Sequence, residues 1–196
     1  TDVERGGKQG VPAPTVELRL VSDDGTILPW DGTAVGEIQV RGPWVAAAYL
    51  NPEDDANTDR FTDGWLRTGD VGRVAPDGTL EIVDRTKDLV KSGGEWISSV
   101  ELERLLAAHP SVRESAIVAV PHERWGERPA AIVVVHETAT VSEEEIKQFL
   151  SQRVASWQVP DRVHFVDELP KTGVGKIDKR RLREEYVPRF EEGTSP

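Results

Sequence analysis

Asp84-Arg-Thr-Lys-Asp-Leu-Val-Lys-Ser-Gly-Gly-Glu-Trp-Ile-Ser-Ser-Val-Glu-Leu-Glu103 is the stretch across which the chain changes its hydrophobic period. Upstream, Val16, Leu18 and Leu20 alternate with Glu17 and Arg19, and Ile38 and Val40 alternate with Glu37 and Gln39. That is the two-residue period of half-buried strands. Downstream, Leu102, Leu105 and Leu106 share one helical face, which Ser98 and Glu101 open at capping-box spacing and His109-Pro110 closes. The charged run from Asp84 to Leu89 suits an exposed connection between two domains. Ser92-Gly93-Gly94-Glu95 reads as a flexible turn that lets a ligand come close to the backbone.

Outward from this stretch the two halves keep their characters. On the upstream side, Asp23-Asp24-Gly25 and Trp30-Asp31-Gly32 supply turns. Trp65-Leu66-Arg67 reads as turn-rich and leads into Thr68-Gly69-Asp70. Val71–Val74 and Leu80–Val83 flank Pro76-Asp77-Gly78 as a hairpin. On the downstream side, Ser115–Val120 and Ala130–Val135 are apolar, β-branched runs of strand length. Ser142 and Glu145 repeat the capping box ahead of Ile146, Phe149, Leu150 and Val154 at helical spacing. Val163–Val166 predicts a short strand and Lys179–Tyr186 a last helix. The fold class is therefore α+β, with a β-rich segment over 1–86, a small α+β domain over 87–196 and a boundary near 84–89.

Composition narrows the function. The 196 residues carry 24 basic and 35 acidic side chains, a net charge of −11 that repels phosphate backbones and counts against nucleic-acid binding. The one basic stretch, Lys171 to Arg183, reads first as a solvated helix face. With no cysteine there is no disulfide, thiolate metal site or cysteine nucleophile, and four scattered histidines show no zinc-binding pair. No apolar run reaches the ~20 residues of a membrane span, and no signal peptide opens the chain. The chain also lacks methionine, so Thr1 is expected to follow further sequence.

Taken singly, the chemical motifs are weak. Lys171-Thr-Gly-Val-Gly-Lys176 has the look of a phosphate loop, but Pro170 stands where a Walker A loop needs glycine and Ile177 where it needs Ser or Thr. What remains is a lysine on a glycine-flanked loop, read as mobile. Asp70 could accept hydrogen bonds from two vicinal hydroxyls, as acids do with ribose, although a β-turn aspartate is the simpler reading.

Taken together and in order, four segments resemble the C-terminal portion of the adenylate-forming superfamily. They are Gly64-Trp-Leu-Arg-Thr-Gly-Asp70, Asp84–Lys91, Ser92–Glu103 and Leu169-Pro-Lys-Thr-Gly-Val-Gly-Lys176. The succession is most similar to the medium- and long-chain fatty acid–CoA ligases, and it extends from about Gly10 to Tyr186. The family's Ser/Thr/Gly-rich phosphate loop and its Tyr-Gly-x-Thr-Glu segment do not occur.

The resemblance implies an ATP-dependent ligase. Such enzymes first form an acyl-adenylate and pyrophosphate with Mg²⁺ assisting, then pass the acyl group to coenzyme A after the C-terminal domain rotates. On this resemblance Asp70 holds the ribose hydroxyls and Arg85 lies beside the same nucleotide. Lys87 is the hinge and the β-rich segment belongs to a barrel-like subdomain. Lys176 bridges the acyl carboxylate and the α-phosphate, and Gly93 and Gly94 face the CoA pantetheine. ATP and Mg²⁺ would be held mainly by upstream sequence, so the 196 residues alone are expected to be inactive. His122 is expected to be structural and Trp96 to pack beside its loop. A cytoplasmic location, peripheral membrane association and oligomerisation through upstream regions are expectations of the same kind. Two alternatives stay open: delivery of the acyl group to a carrier protein, and a binding module without catalysis.

Overall fold

A computed structural model of the chain describes residues 8–49 and 59–191. Two compact units result, Thr1–Lys87 and Asp88–Pro196.

The first unit is a six-stranded antiparallel sheet. Its strands are β1 (Glu17–Val21), β2 (Ile27–Leu28), β3 (Gly36–Arg41), β4 (Phe61–Thr62), β5 (Trp65–Val74) and β6 (Leu80–Arg85). They run in the order β2-β1-β3-β5-β4, with β6 also on β5. The alternation read from sequence sorts the two faces. Leu20, Ile38 and Val74 form the apolar core, joined by Leu18, Leu28, Val40 and Leu80. The opposite face carries a polar ladder instead. Arg19 donates to Gln39 Oε1 at 2.9 and 2.8 Å, Gln39 donates to Glu37 Oε2 at 3.3 Å, and Arg67 Nε donates to Glu37 Oε2 at 2.8 Å. Glu37 and Gln39 are buried, and buried polar groups of this kind keep their place only when satisfied. The Trp65 ring sits between the guanidiniums of Arg19 and Arg41, 4.3 and 4.5 Å from its centroid.

Trp65–Arg67, expected in a turn, is the first part of β5. The turn lies just before it, at Asp63 and Gly64, whose φ values of 52° and 77° make a two-residue hairpin with Thr62 opposite Trp65. Asp-Gly is a strong hairpin dipeptide because both positions need φ above zero.

The second unit carries a five-stranded sheet of β7 (Val90–Ser92), β8 (Glu95–Ile97), β9 (Val112–His122), β10 (Gly126–Val135) and β11 (Arg162–Phe165). Its helices are α1 (Ser99–Ala107), α2 (Glu143–Ser151) and α3 (Lys179–Glu191). β9 and β10 pair antiparallel along nearly their whole length, and β11 adds parallel to β10. Ile117, Ala131 and Val133 share a cluster with Leu102 and Leu106 of α1 and with Ile146 and Leu150 of α2. Ala116, Val118, Ala130 and Ile132 form a second cluster with Leu182 and Tyr186 of α3. Both faces are thus covered, which is why these strands read as continuous apolar runs rather than alternating ones.

Ser98 accepts the Glu101 amide at 3.1 Å, and Ser142 with Glu145 closes the full reciprocal capping box. α3 outruns the expected end at Tyr186 and passes through Pro188. Val187 and Phe190 still pack on the second cluster, and that burial outweighs the hydrogen bond proline removes.

The boundary segment is less exposed than its charge suggested. Asp84 and Leu89 are each only 4% exposed, and Asp88 pairs with Arg183 at 2.7 Å. Arg85 and Lys87 alone in this run are exposed.

Candidate functional site

Asp70 lies within β5 rather than in a β-turn, directly opposite Arg85 on β6. Thr68 shapes the strand before it: its hydroxyl donates to the Ile38 carbonyl at 2.8 Å and accepts the Asp70 amide at 3.1 Å. Gly69 takes φ 76°, and its carbonyl accepts the Thr86 amide at 2.9 Å, tying β5 to the turn after β6. Arg85 Nε stands 3.5 Å from Asp70 Oδ1, with the guanidinium 64% and the carboxylate 32% exposed. A contact this long leaves most of the carboxylate's acceptor sites open to hydroxyl donors. Gly72, next but one, admits no side chain, since a Cβ there would lie 2.6 Å from the Glu81 carbonyl oxygen.

Lys87 is exposed in the turn after β6 and is the last residue of the first unit. Thr86 beside it has a buried hydroxyl oxygen with no hydrogen-bond partner among the described residues.

In the second unit Gly93 and Gly94, with φ 60° and 88°, form the two-residue turn between β7 and β8, and Ser92 pairs with Glu95 across it. The stretch read as flexible is a tight hairpin, because two successive positive φ values fit the strands' own twist. The Gly93 amide donates to the Trp125 carbonyl at 2.8 Å, and a Cβ on Gly93 would fall 2.9 Å from Trp125 Cε3.

That hairpin walls a cavity of 510 Å³ with Trp125, Trp157 and Arg128 among its lining residues. Both indoles remain about 40% exposed, so flat apolar surface faces solvent at the mouth. Arg128 itself is committed. It donates to Asp161 at 2.7 and 3.0 Å, to Ser92 Oγ at 3.1 Å, to the Val159 carbonyl at 3.0 Å and to the Trp157 carbonyl. All of its donors are spent on holding the wall. His122 Nδ1 accepts the amides of Arg124 and Trp125 at 3.1 and 3.3 Å, shaping the turn that presents Trp125. Trp96 is half-buried, with Lys91 Nζ 5.7 Å from its ring centroid. No local pattern marks Trp125 and Trp157 as neighbours, since only the fold brings the β9–β10 turn and the loop before β11 together.

Lys176 closes a small hairpin. Lys171 bridges Ile177, the Thr172 amide donates to the Lys176 carbonyl at 2.7 Å, and Gly175 (φ 80°) donates to the Thr172 carbonyl at 2.8 Å. Asp178 then caps α3 by accepting the Arg181 amide at 3.1 Å. The loop read as mobile is therefore bonded shut across its base. The Lys176 side chain is exposed, and among the described residues its ammonium has no partner. Its flanking lysines are paired: Lys171 with Glu114 at 2.9 Å and Lys179 with Glu103 at 2.7 Å.

Asp70 and Arg85 thus meet in the first unit, while Gly93, Gly94 and Lys176 belong to the second. Among the described residues no group of three or more His, Asp or Glu side chains could hold a metal ion. No helix there is long and apolar enough to cross a membrane.

Residues 101–176 match the AMP-binding enzyme C-terminal domain, so this stretch of the chain is a domain of that family. Within that family its relatives are acyl-CoA ligases. It is 48% identical over 91% of its length to 3-methylmercaptopropionyl-CoA ligase of Ruegeria lacuscaerulensis. It is 46% identical over 91% of its length to long-chain-fatty-acid–CoA ligase of Thermus thermophilus. The crystal structure of ATP-bound MatB from Rhodopseudomonas palustris superposes over 94% of this chain and 36% of that one, with 35% identity and a TM-score of 0.81. The chain spans about a third of the length of the curated relatives, 32% and 33%.

Proposed function

We propose that this chain is the C-terminal part of an ATP-dependent fatty acid–CoA ligase, and that Lys176 is its adenylation lysine. The observation that carries the reading is Lys176 itself: an ammonium without a partner among the described residues, on a hairpin closed at its base between two lysines that are both neutralised. When a carboxylate attacks the α-phosphate of ATP, negative charge gathers on both groups. A preorganised ammonium that spends no energy breaking an internal ion pair stabilises that charge most. Its flexible stem lets it act as a point charge between the two anions.

Asp70 supplies acceptor sites for the ribose hydroxyls, and Arg85 opposite supplies a guanidinium toward the nucleotide phosphate. The described residues offer no group of three or more side chains that could hold the magnesium that accompanies ATP.

For the second half-reaction Gly93 and Gly94 present bare backbone to the pantetheine arm. A Cβ at Gly93 has no room beside Trp125, so the thiol's path along this hairpin depends on glycine. The adjoining cavity, with two half-exposed indoles, suits the flat base at the far end of CoA. Lys87, exposed in a turn at the unit boundary, is the hinge about which the small domain turns between the two steps. A few boundary residues suffice to absorb such a motion.

The test uses the full-length ligase containing this chain. Fatty-acid-dependent exchange of pyrophosphate into ATP, followed by thioester formation with free CoA and none with a holo-carrier protein, is the expected result. Absence of fatty-acid-dependent exchange overturns the reading, and acyl transfer to the carrier alone replaces CoA as acceptor. The 196-residue chain by itself is expected to release no pyrophosphate.

A further inference from the structure

Lys179 is a lysine that the chemistry above does not use. Its ammonium lies 2.7 Å from Glu103 Oε1 and 2.7 Å from Ser99 Oγ, and its side chain is only 14% exposed, against 19% for Glu103. Ser99 is fully buried. The same Glu103 oxygen accepts the Ile117 amide at 2.8 Å. One carboxylate thereby joins α1, which carries Glu103, to β9 through Ile117 and to α3 through Lys179.

The placement runs against simple electrostatics. Lys179 is the first residue of α3 and Ser99 the first of α1, so the ammonium sits where two helices begin. A helix start repels a cation. Glu103 offsets that repulsion, and a charge-assisted contact of this length is among the stronger hydrogen bonds a protein makes. The connections on either side are short. Lys179 follows Lys176 by three positions, and Ser99 follows β8, the strand that leaves the Gly93-Gly94 turn.

We propose that Lys179 is a positioning residue that fixes the Lys176 hairpin to the helix following the Gly93-Gly94 turn. The clamp, together with Lys171–Glu114 on the other flank, gives the Lys176 ammonium a set origin. It also keeps the adenylation loop and the thiol-facing loop at one spacing inside this unit. The proposal rests on the reading of Lys176 as the adenylation lysine for its catalytic consequence, but the clamp itself is a property of the chain alone.

The experiment has two arms. In the 196-residue chain, amide hydrogen exchange is followed at Thr172, Lys176 and Asp178, whose bonds close the hairpin, and at Ala131 and Val133 in the core. Lys179→Met keeps the apolar stem and removes the charge, and Lys179→Arg restores a donor. Protection at the hairpin should be lost in the Met variant, retained at the core, and regained in the Arg variant. In the full-length ligase, Lys179→Met should lower pyrophosphate exchange by about 10²-fold, the cost of a small misplacement of a reacting group. Acyl transfer from supplied acyl-adenylate should be spared, and Lys179→Arg should recover most of the exchange. Unchanged hairpin protection in Lys179→Met overturns the clamp. Loss of core protection together with equal losses in both half-reactions also overturns it, because that is the signature of general destabilisation. If Lys176→Ala leaves adenylation intact, the functional reading has failed, and the exchange arm still decides the clamp.

Discussion

Asp70 and Arg85 face each other across an antiparallel pair of strands, yet their side chains meet only at 3.5 Å and stay in contact with solvent. An exposed pair of this kind contributes roughly 0–1 kcal/mol to folding. Its carboxylate is held in place by the strand rather than by its partner.

Asp70→Ala should therefore separate binding from stability. Hydrogen bonds to a charged acceptor are worth about 1.5–3 kcal/mol, so ATP affinity in the full-length ligase should drop by roughly one to two orders of magnitude. Thermal unfolding of the 196-residue chain should barely move. Equilibrium ATP binding and a melting curve on the same variant check both halves.

Lys176→Ala should cripple one half-reaction. Loss of one preorganised charge-stabilising group costs on the order of 10²–10³ in rate, about 2.7–4 kcal/mol. The side chain is exposed and has no partner among the described residues, so the fold should be unaffected. Pyrophosphate exchange should collapse while thioester formation from supplied acyl-adenylate persists; equal losses in both would remove Lys176 from the adenylation step.

Lys87→Pro should give the opposite pattern. Proline holds φ near −65° and deletes an amide donor, so a turn that needs two backbone states keeps one. With the adenylation state retained, exchange survives and CoA thioester formation falls steeply. An ordinary solvated turn lysine would instead show parallel effects or none, and measuring the half-reactions separately tells the two apart.

Gly93→Ala should act on the thiol-facing hairpin. A non-glycine residue at φ 60° pays about 1–2 kcal/mol, and the new methyl collides with the Trp125 ring. CoA should bind more weakly to the second unit, with a change in the emission of Trp125. Titration of CoA against indole fluorescence reads this directly, and an unaltered titration would detach the cavity from CoA.

The imidazole of His164 packs 5.2 Å from the Tyr186 ring and 6.2 Å from Phe190. Burial first, and then the nearby Arg189 charge, push its pKa below the ordinary value of 6.5. The unfolded chain binds this proton more readily than the folded one. The stability His164 permits is thus complete above about pH 6.5 and is lost as pH falls toward the lower folded value. Denaturant midpoints across this range should fall with pH for the natural chain and fall less for His164→Phe.

Legibility in the sequence followed the range of each interaction. Caps at Ser98 and Ser142, the hairpin at Asp77-Gly78 and the apolar runs of β9 and β10 were readable because each is set by neighbours within a few positions. The Asp63-Gly64 hairpin is equally local, but it directly abuts the Trp65-Leu66-Arg67 run, whose own pattern does not mark a strand. Its consequence was large, since it turned a supposed turn into the strand that holds Asp70. The burial of Asp84 and Leu89 contradicted the exposed connection their charged surroundings suggested, because charge shows what a segment can tolerate and not what packs on it.

By itself the sequence determined the change of period near residue 90, the order of the elements from α1 to α3, and the residues that the family resemblance singles out: Asp70, Arg85, Lys87, Gly93, Gly94 and Lys176. Only the tertiary structure decided that Arg85 stands opposite Asp70 and that Trp125 and Trp157 share a cavity. It alone also left Lys176 without a partner among the described residues, between two paired lysines. The physical reason is distance along the chain. Periodicity and capping are written in adjacent residues, whereas strand register and helix packing choose partners from afar, and those choices decide which charges are neutralised and which remain free to act.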